Sequence, residues 1–196
     1  ADNLAITNCI ISNNYTTQSG GALFIHGTGN FYIDSVSFLN NHGSYQYGTG
    51  GAGIYMQYSN GIISNSLFQD NNHGYNTAGN SYGGGGINLF SSNVGINNVE
   101  FINNISDSNG SAVFIRSDQP TNANSVNITD CYFEGNVGGS SVVRNSNAGT
   151  FVTISNSEFT NNGSSYSFFG NNFDINNSRF ISNYQDIKVY DEEGTN

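Results

Sequence analysis

One nine-residue pattern, Ile-x-Asn-x-x-Phe-x-x-Asn, runs through the whole chain and leaves few folds open to it. It starts at Ile6, Ile33, Ile63, Ile96, Ile128, Ile154 and Ile175, with Ser or Asp replacing the first Asn in two copies. Its aromatic is Phe38, Phe68, Phe101, Phe133, Phe159 and Phe180, and Ile11 takes that place in the first copy. The closing residue never varies: Asn14, Asn41, Asn71, Asn104, Asn136, Asn162 and Asn183. Successive copies lie between 21 residues (Ile154 to Ile175) and 33 residues (Ile63 to Ile96) apart. A short motif at such intervals marks a solenoid, because one repeat cannot bury its own apolar side and does so by stacking on its neighbours.

Each copy is preceded by a second apolar run led by glycine or a small residue. These runs are Gly20 to Ile25, Gly51 to Met56, Gly84 to Leu89, Gly110 to Ile115 and, weaker, Gly139 to Val143, with a faded version at Ser165 to Phe169. Apolar residues alternate within them, and Gly or Asn brackets them, which is the signal of short strands. No segment has the roughly 3.6-residue period of a helix. A repeat is then three strands: one after the glycines, one ending at the motif Ile, and one through the Phe, with a bend between the last two at the motif's third residue. Asn suits that bend, since it tolerates left-handed backbone and bonds its own neighbours. Strands stacked in parallel register with the usual crossover hand predict an all-β fold, a right-handed single-stranded parallel β-helix of about seven coils. It is expected to span residues 1–190, with residues 191–196 as an acidic tail.

Stacking lets whole columns be written down. The core columns are the motif Ile and the motif Phe; the bend column is Asn8, Ser35, Asn65, Asn98, Asp130, Asn156 and Asn177, whose amides are expected to bond along it. An outward column reads Ile10, Ser37, Leu67, Glu100, Tyr132, Glu158 and Arg179, placing Glu158 beside Arg179 as a surface ion pair. Cys9 and Cys131 share the motif's fourth position with Val36 and Val99, so both are expected in the core. Four repeats separate them, about 19 Å at about 4.8 Å per strand, far past the ~7 Å limit for a disulfide. Two free, buried thiols are expected.

Charge narrows the function. The net charge is −10 with only four basic residues, which argues against nucleic-acid binding and disfavours acidic polysaccharides. No apolar run approaches the roughly 20 residues of a membrane-spanning helix. A disordered chain is excluded by 14 Phe and 12 Tyr set on a regular Ile framework.

The Gly-Gly-Ala-Leu element at Gly20 to Leu23 and the six Phe-x-x-Asn elements resemble the paired repeats of polymorphic membrane protein autotransporters and similar bacterial and archaeal adhesin-like proteins. The resemblance implies a β-helix of the pectin-lyase-like superfold on a cell surface, often serving adhesion, in an extracellular setting. The glycine element departs from that pattern after Val113.

A polysaccharide lyase or hydrolase is the alternative, since pectin-active enzymes resemble this architecture. Lyases of that kind use Arg or Lys, yet Arg116, Arg144, Arg179 and Lys188 fall in different repeats. A hydrolase needs two carboxylates about 5 to 9.5 Å apart, and Asp70, Asp107, Asp118, Asp130 and Asp174 share no column. A non-enzymatic role follows, without a cofactor. His42 and His73, in Asn41-His42-Gly43 and Asn72-His73-Gly74, each open a long insertion; with Asp70 nearby they are candidate metal ligands, but two His have no fixed third ligand, and exposed turn histidines are the plainer expectation. Tyr45 and Tyr47 lie on one insertion, Tyr75 and Tyr82 on the next, and insertions of a solenoid collect on one face. Tyr rings among Asn and Ser suit a neutral glycan or protein on a host or neighbouring cell. Finally, Leu4, Ile6 and Ile11 at one end and Ile187, Val189 and Tyr190 at the other are candidates for end-to-end self-association into a filament.

Overall fold

The structure, a computed structural model, describes residues 3–17, 20–43, 49–74, 82–107, 109–117, 124–147, 149–185 and 187–189. Its regular elements are all β-strands, paired in parallel and stacked as a β-helix. Among the described residues no helix is long and apolar enough to cross a membrane. Three sheets of seven strands each enclose the core. The isoleucine sheet runs from Asn3–Thr7 to Phe173–Asn176, the phenylalanine sheet from Ile10–Ser12 to Arg179–Ile181, and the glycine-led sheet from Leu23–His26 to Ile187–Val189.

The columns fall into register one turn at a time. Ile6 pairs with Ile33, Ile33 with Ile63, and so on through Ile175. Ile11 pairs with Phe38, and the phenylalanine column then continues to Phe180. The rings of Phe38, Phe68, Phe101, Phe133, Phe159 and Phe180 form one stack, with centroids 4.2 to 5.4 Å apart. Each of the five buried rings, Phe38 to Phe159, contributes about 1.5 to 3 kcal/mol, and each ring pair about 0.5 to 1.5 kcal/mol more.

All seven bend residues have left-handed backbone, with φ from 47° at Asn177 to 56° at Ser35. A second left-handed column precedes the closing Asn: Asn13, Asn40, Asp70, Asn103, Gly135, Asn161 and Ser182. Two corners per turn therefore need residues that accept this conformation, which is why Asn, Asp, Ser and Gly recur there.

The closing asparagines form the main ladder, inside the wall. Asn41, Asn71, Asn104 and Asn136 are wholly buried. In each, Nδ2 donates to the next turn's Asn Oδ1 at 3.0 to 3.1 Å. It also donates to the carbonyl at the previous turn's motif Phe position, Ile11 for Asn41 at 2.9 Å and Phe68 for Asn104 at 2.8 Å. Each Oδ1 in turn accepts the previous closing residue's backbone N–H, Asn71 to Asn104 at 3.2 Å. A buried amide costs free energy unless all its groups are paired, and here one residue type pairs them all. The bend column carries only a broken, exposed version, Asn98 to Asn65 at 2.8 Å and Asn177 to Asn156 at 2.7 Å. Next to it, Ser64 and Asn65 donate to Asp34 Oδ1, both at 2.7 Å, and hold that carboxyl below the usual range.

Two expectations change. The turn is not everywhere three-stranded: Tyr15–Thr16, His42–Gly43, Asn72–His73 and Ile105–Ser106 make a short fourth sheet, flanked by a two-stranded sheet of Thr49–Gly51 and Tyr82–Gly84. Cys131 is buried, and burial pushes its thiol up to about 12. Cys9 is exposed, because it belongs to the first described turn, where no described strand lies over it.

Candidate binding face

In the glycine-led sheet the motif's alternation places two rows of side chains outside. The first row reads Phe24, Tyr55, Asn88, Phe114, Arg144 and Phe169, with Lys188 at the next register position. The second reads His26, Gln57, Phe90 and Arg116. None of these positions holds Asp or Glu, and three of the chain's four basic residues are among them. Spacing along the chain hid this, since the basic residues lie in different repeats and meet only through strand register.

The rings and cations interlock. Phe24 stacks on Tyr55 at 5.2 Å, and Tyr58, at the sheet's corner, meets His26 and Phe90 edge-on at 5.8 and 5.4 Å. The Arg116 guanidinium lies 4.4 Å from the Phe90 centroid and donates to the Tyr55 hydroxyl at 3.5 Å. Arg144 lies between Phe169 at 5.1 Å and Phe114 at 5.9 Å, and its Nη1 donates to Ser140 Oγ at 3.0 Å. Cation–π contacts of this kind suit Arg, which is planar and weakly hydrated.

Though they face outward, Tyr55, Asn88 and Phe114 are buried. Glycine-rich backbone passes close over this row: Asn88 Nδ2 donates to the Gly50 carbonyl at 2.7 Å, and a Cβ on Gly51 would stand 3.3 Å from that of Asn88. The open part of the face is at its first two turns, where Phe24 is 46% and Tyr58 44% exposed and His26 is exposed. Aromatic rings half in water beside hydrogen-bonding groups are the chemistry that contact surfaces use.

Of the expected site residues, Tyr45, Tyr47, Tyr75 and Tyr190 lie outside the described residues. Tyr82 heads the strand Tyr82–Gly84, paired with Thr49 beside this face. His42 is half-buried and stacks on Tyr15 at 5.2 Å. His73 is buried, not an exposed turn residue. Its strand aligns Asn72 with His42 and His73 with Gly43, so the two histidines differ by one residue in register and point to opposite sides. Among the described residues no group of three His, Cys, Asp or Glu is placed to hold a metal. Leu4, Ile6 and Ile11 are half-buried in the first turn, Ile187 is 50% exposed, and Val189 ends the last strand of the glycine-led sheet.

The phenylalanine sheet has the opposite exterior. Glu100, Tyr132, Glu158 and Arg179 follow one another along it, and Arg179 Nη1 meets Glu158 Oε2 at 3.1 Å. Lost solvation and the carboxylates of Glu134, Glu158 and Glu100 raise the Tyr132 phenol above its ordinary range. A shallow polar groove of 390 Å³, lined by Ser35, Ser37, Asn65, Ser66, Leu67, Asn98 and Glu100, lies alongside. No family model matches the chain, and neither a curated protein nor a solved structure matches it.

Proposed function

We propose that this β-helix is a non-enzymatic recognition module of an extracellular or cell-surface protein, and that the outer side of the glycine-led sheet binds a glycan or protein surface of a neighbouring cell. The carrying observation is the separation of charge: rings and cations, without a carboxylate at the described outward positions, in a chain of net charge −10. The resemblance to adhesin-like repeats supports the same role. Phe24 and Tyr58 are the contact residues, because they are the exposed rings of the cluster. Binding of the purified chain to arrayed glycans and to whole cells tests this. Phe24→Ala with Tyr58→Ala is expected to weaken binding at least tenfold, about 1.4 kcal/mol, with an unchanged melting temperature. Undiminished binding would overturn the assignment. End-to-end stacking is the structural side of the proposal, supported by Leu4, Ile6 and Ile11, half-buried in the first described turn where Phe31, Ile33 and Phe38 of the same columns are buried, and by Ile187 at 50% exposure in the last. Sedimentation of the same samples over a range of concentrations separates a stacking subunit from a monomeric binder.

A further inference from the structure

His73 is 1% exposed, and among the described residues neither its Nδ1 nor its Nε2 has a hydrogen-bond partner. It occupies a two-residue strand between His42–Gly43 and Ile105–Ser106, opposite Gly43 on one side and Ser106 on the other. Gly83 lies directly over the ring, and a Cβ there would collide with Cε1 and Nε2. Strand Tyr82–Gly84 is thus seated on an imidazole edge; Ser106 Oγ, donating to the Gly83 carbonyl at 3.0 Å, and pairing with Thr49–Gly51 hold it down. Among the described residues, the charged or titratable groups acting on the ring are Asp107, which favours a cation, and His42, which opposes one. Asp107 does not pair with it.

An imidazole needs solvent or an acceptor once it carries a proton, and the described residues of this cleft supply neither. We propose that His73 makes the seam between Asn72–His73 and Tyr82–Gly84 acid-labile: a protonated ring pushes the glycine strand off, and the glycine-led face opens on the side where Gly50 bonds Asn88. Burial lowers the His73 pKa from 6.5 to about 4. The fold therefore favours the neutral ring; its stabilisation is complete above about pH 6.5 and is lost as pH falls toward 4. That interval corresponds to a factor of roughly 300 in the opening equilibrium.

The opening does not depend on what the face binds, so the two proposals fail separately. Hydrogen exchange, corrected for intrinsic rates, is to be followed from pH 7.5 to 3.5 at residues 72–74 and 83–85 in the full chain. Protection at this seam is expected to fall by up to about 300-fold in the wild type, while residues 100–102 of the phenylalanine sheet keep theirs. His73→Leu and His73→Gln should flatten the seam's pH dependence. A seam equally pH-dependent in either folded variant would place the cause in the carboxylates and overturn the proposal. If neither variant folds, an NMR titration of the wild-type imidazole decides: a midpoint near 4 is expected, and one near 6.5 overturns it.

Discussion

The phenylalanine and glycine-led sheets are built alike within and opposite without. Inside, both present apolar residues to the same core at positions fixed by parallel register, one per turn in the phenylalanine sheet and two in central turns of the glycine-led sheet, such as Ile54 with Met56. Outside, the phenylalanine sheet carries Glu100, Tyr132, Glu158 and Arg179 into water, whereas the glycine-led sheet packs Arg116 and Arg144 on rings. The difference separates two jobs. Interior columns specify the fold and tolerate little; exterior columns are free to differ from face to face, and only one of them has become a surface of rings and cations.

The sharpest break of that contrast is to move charge from one side of a strand to the other. Phe101→Asp places a carboxylate in the ring stack, between Phe68 and Phe133, and is expected to remove the folded state. Its outward neighbour Glu100→Gln should leave the melting temperature nearly unchanged. Similar melting curves for the two variants would show that the assigned register is wrong.

Next in size is the ladder. Asn104→Ala deletes both donors to Phe68 O and Asn136 Oδ1 and strands the Asn71 amide groups that bonded to its Oδ1. Several unsatisfied buried groups at about 1 to 3 kcal/mol each give an expected loss of roughly 3 to 5 kcal/mol in denaturant unfolding. The same substitution at Asn98, in the exposed bend ladder, should cost under about 1 kcal/mol.

The smallest effect distinguishes the exteriors themselves. Arg144→Ala loses two ring contacts and is expected to cost about 1 to 2 kcal/mol, against about 0 to 1 kcal/mol for Arg179→Ala, whose side chain is 71% exposed. Equal costs by urea unfolding would mean that the rings contribute nothing to holding Arg144.

Much of the fold is legible in the residues because every core position is written seven times, so that register follows from aligning the copies. The bend is legible for the same reason joined to a conformational one, since Asn, Ser and Asp recur where φ must be positive. The ladder's true position is subtler. Asn65 and Asn104 look alike in sequence, but the first ends a strand at an exposed corner while the second turns its amide into the wall. His42 and His73 mislead because Asn72 reads as the counterpart of Asn41, whereas the ladder residue of that turn is Asn71, and the extra Asn72 shifts register by one residue and sends His73 inward. The aromatic and cationic face is hidden because insertions of different lengths separate its members, so that Arg144 and Phe169 become neighbours only when strands pair.

The asparagine ladder also has a direction. Every Nδ2 that reaches along the stack points toward the following turn, and each turn presents the one before it with the same acceptor that it will itself look for in the one after. At the ladder, adjacent turns therefore share a common connector. Excising one repeat from the middle would bring Asn71 against Asn136 with nothing left over, and duplicating one would extend the series in the same sense. Length in such a molecule is a quantity that gene duplication and deletion can adjust in whole turns, without a new solution to the folding problem at each step.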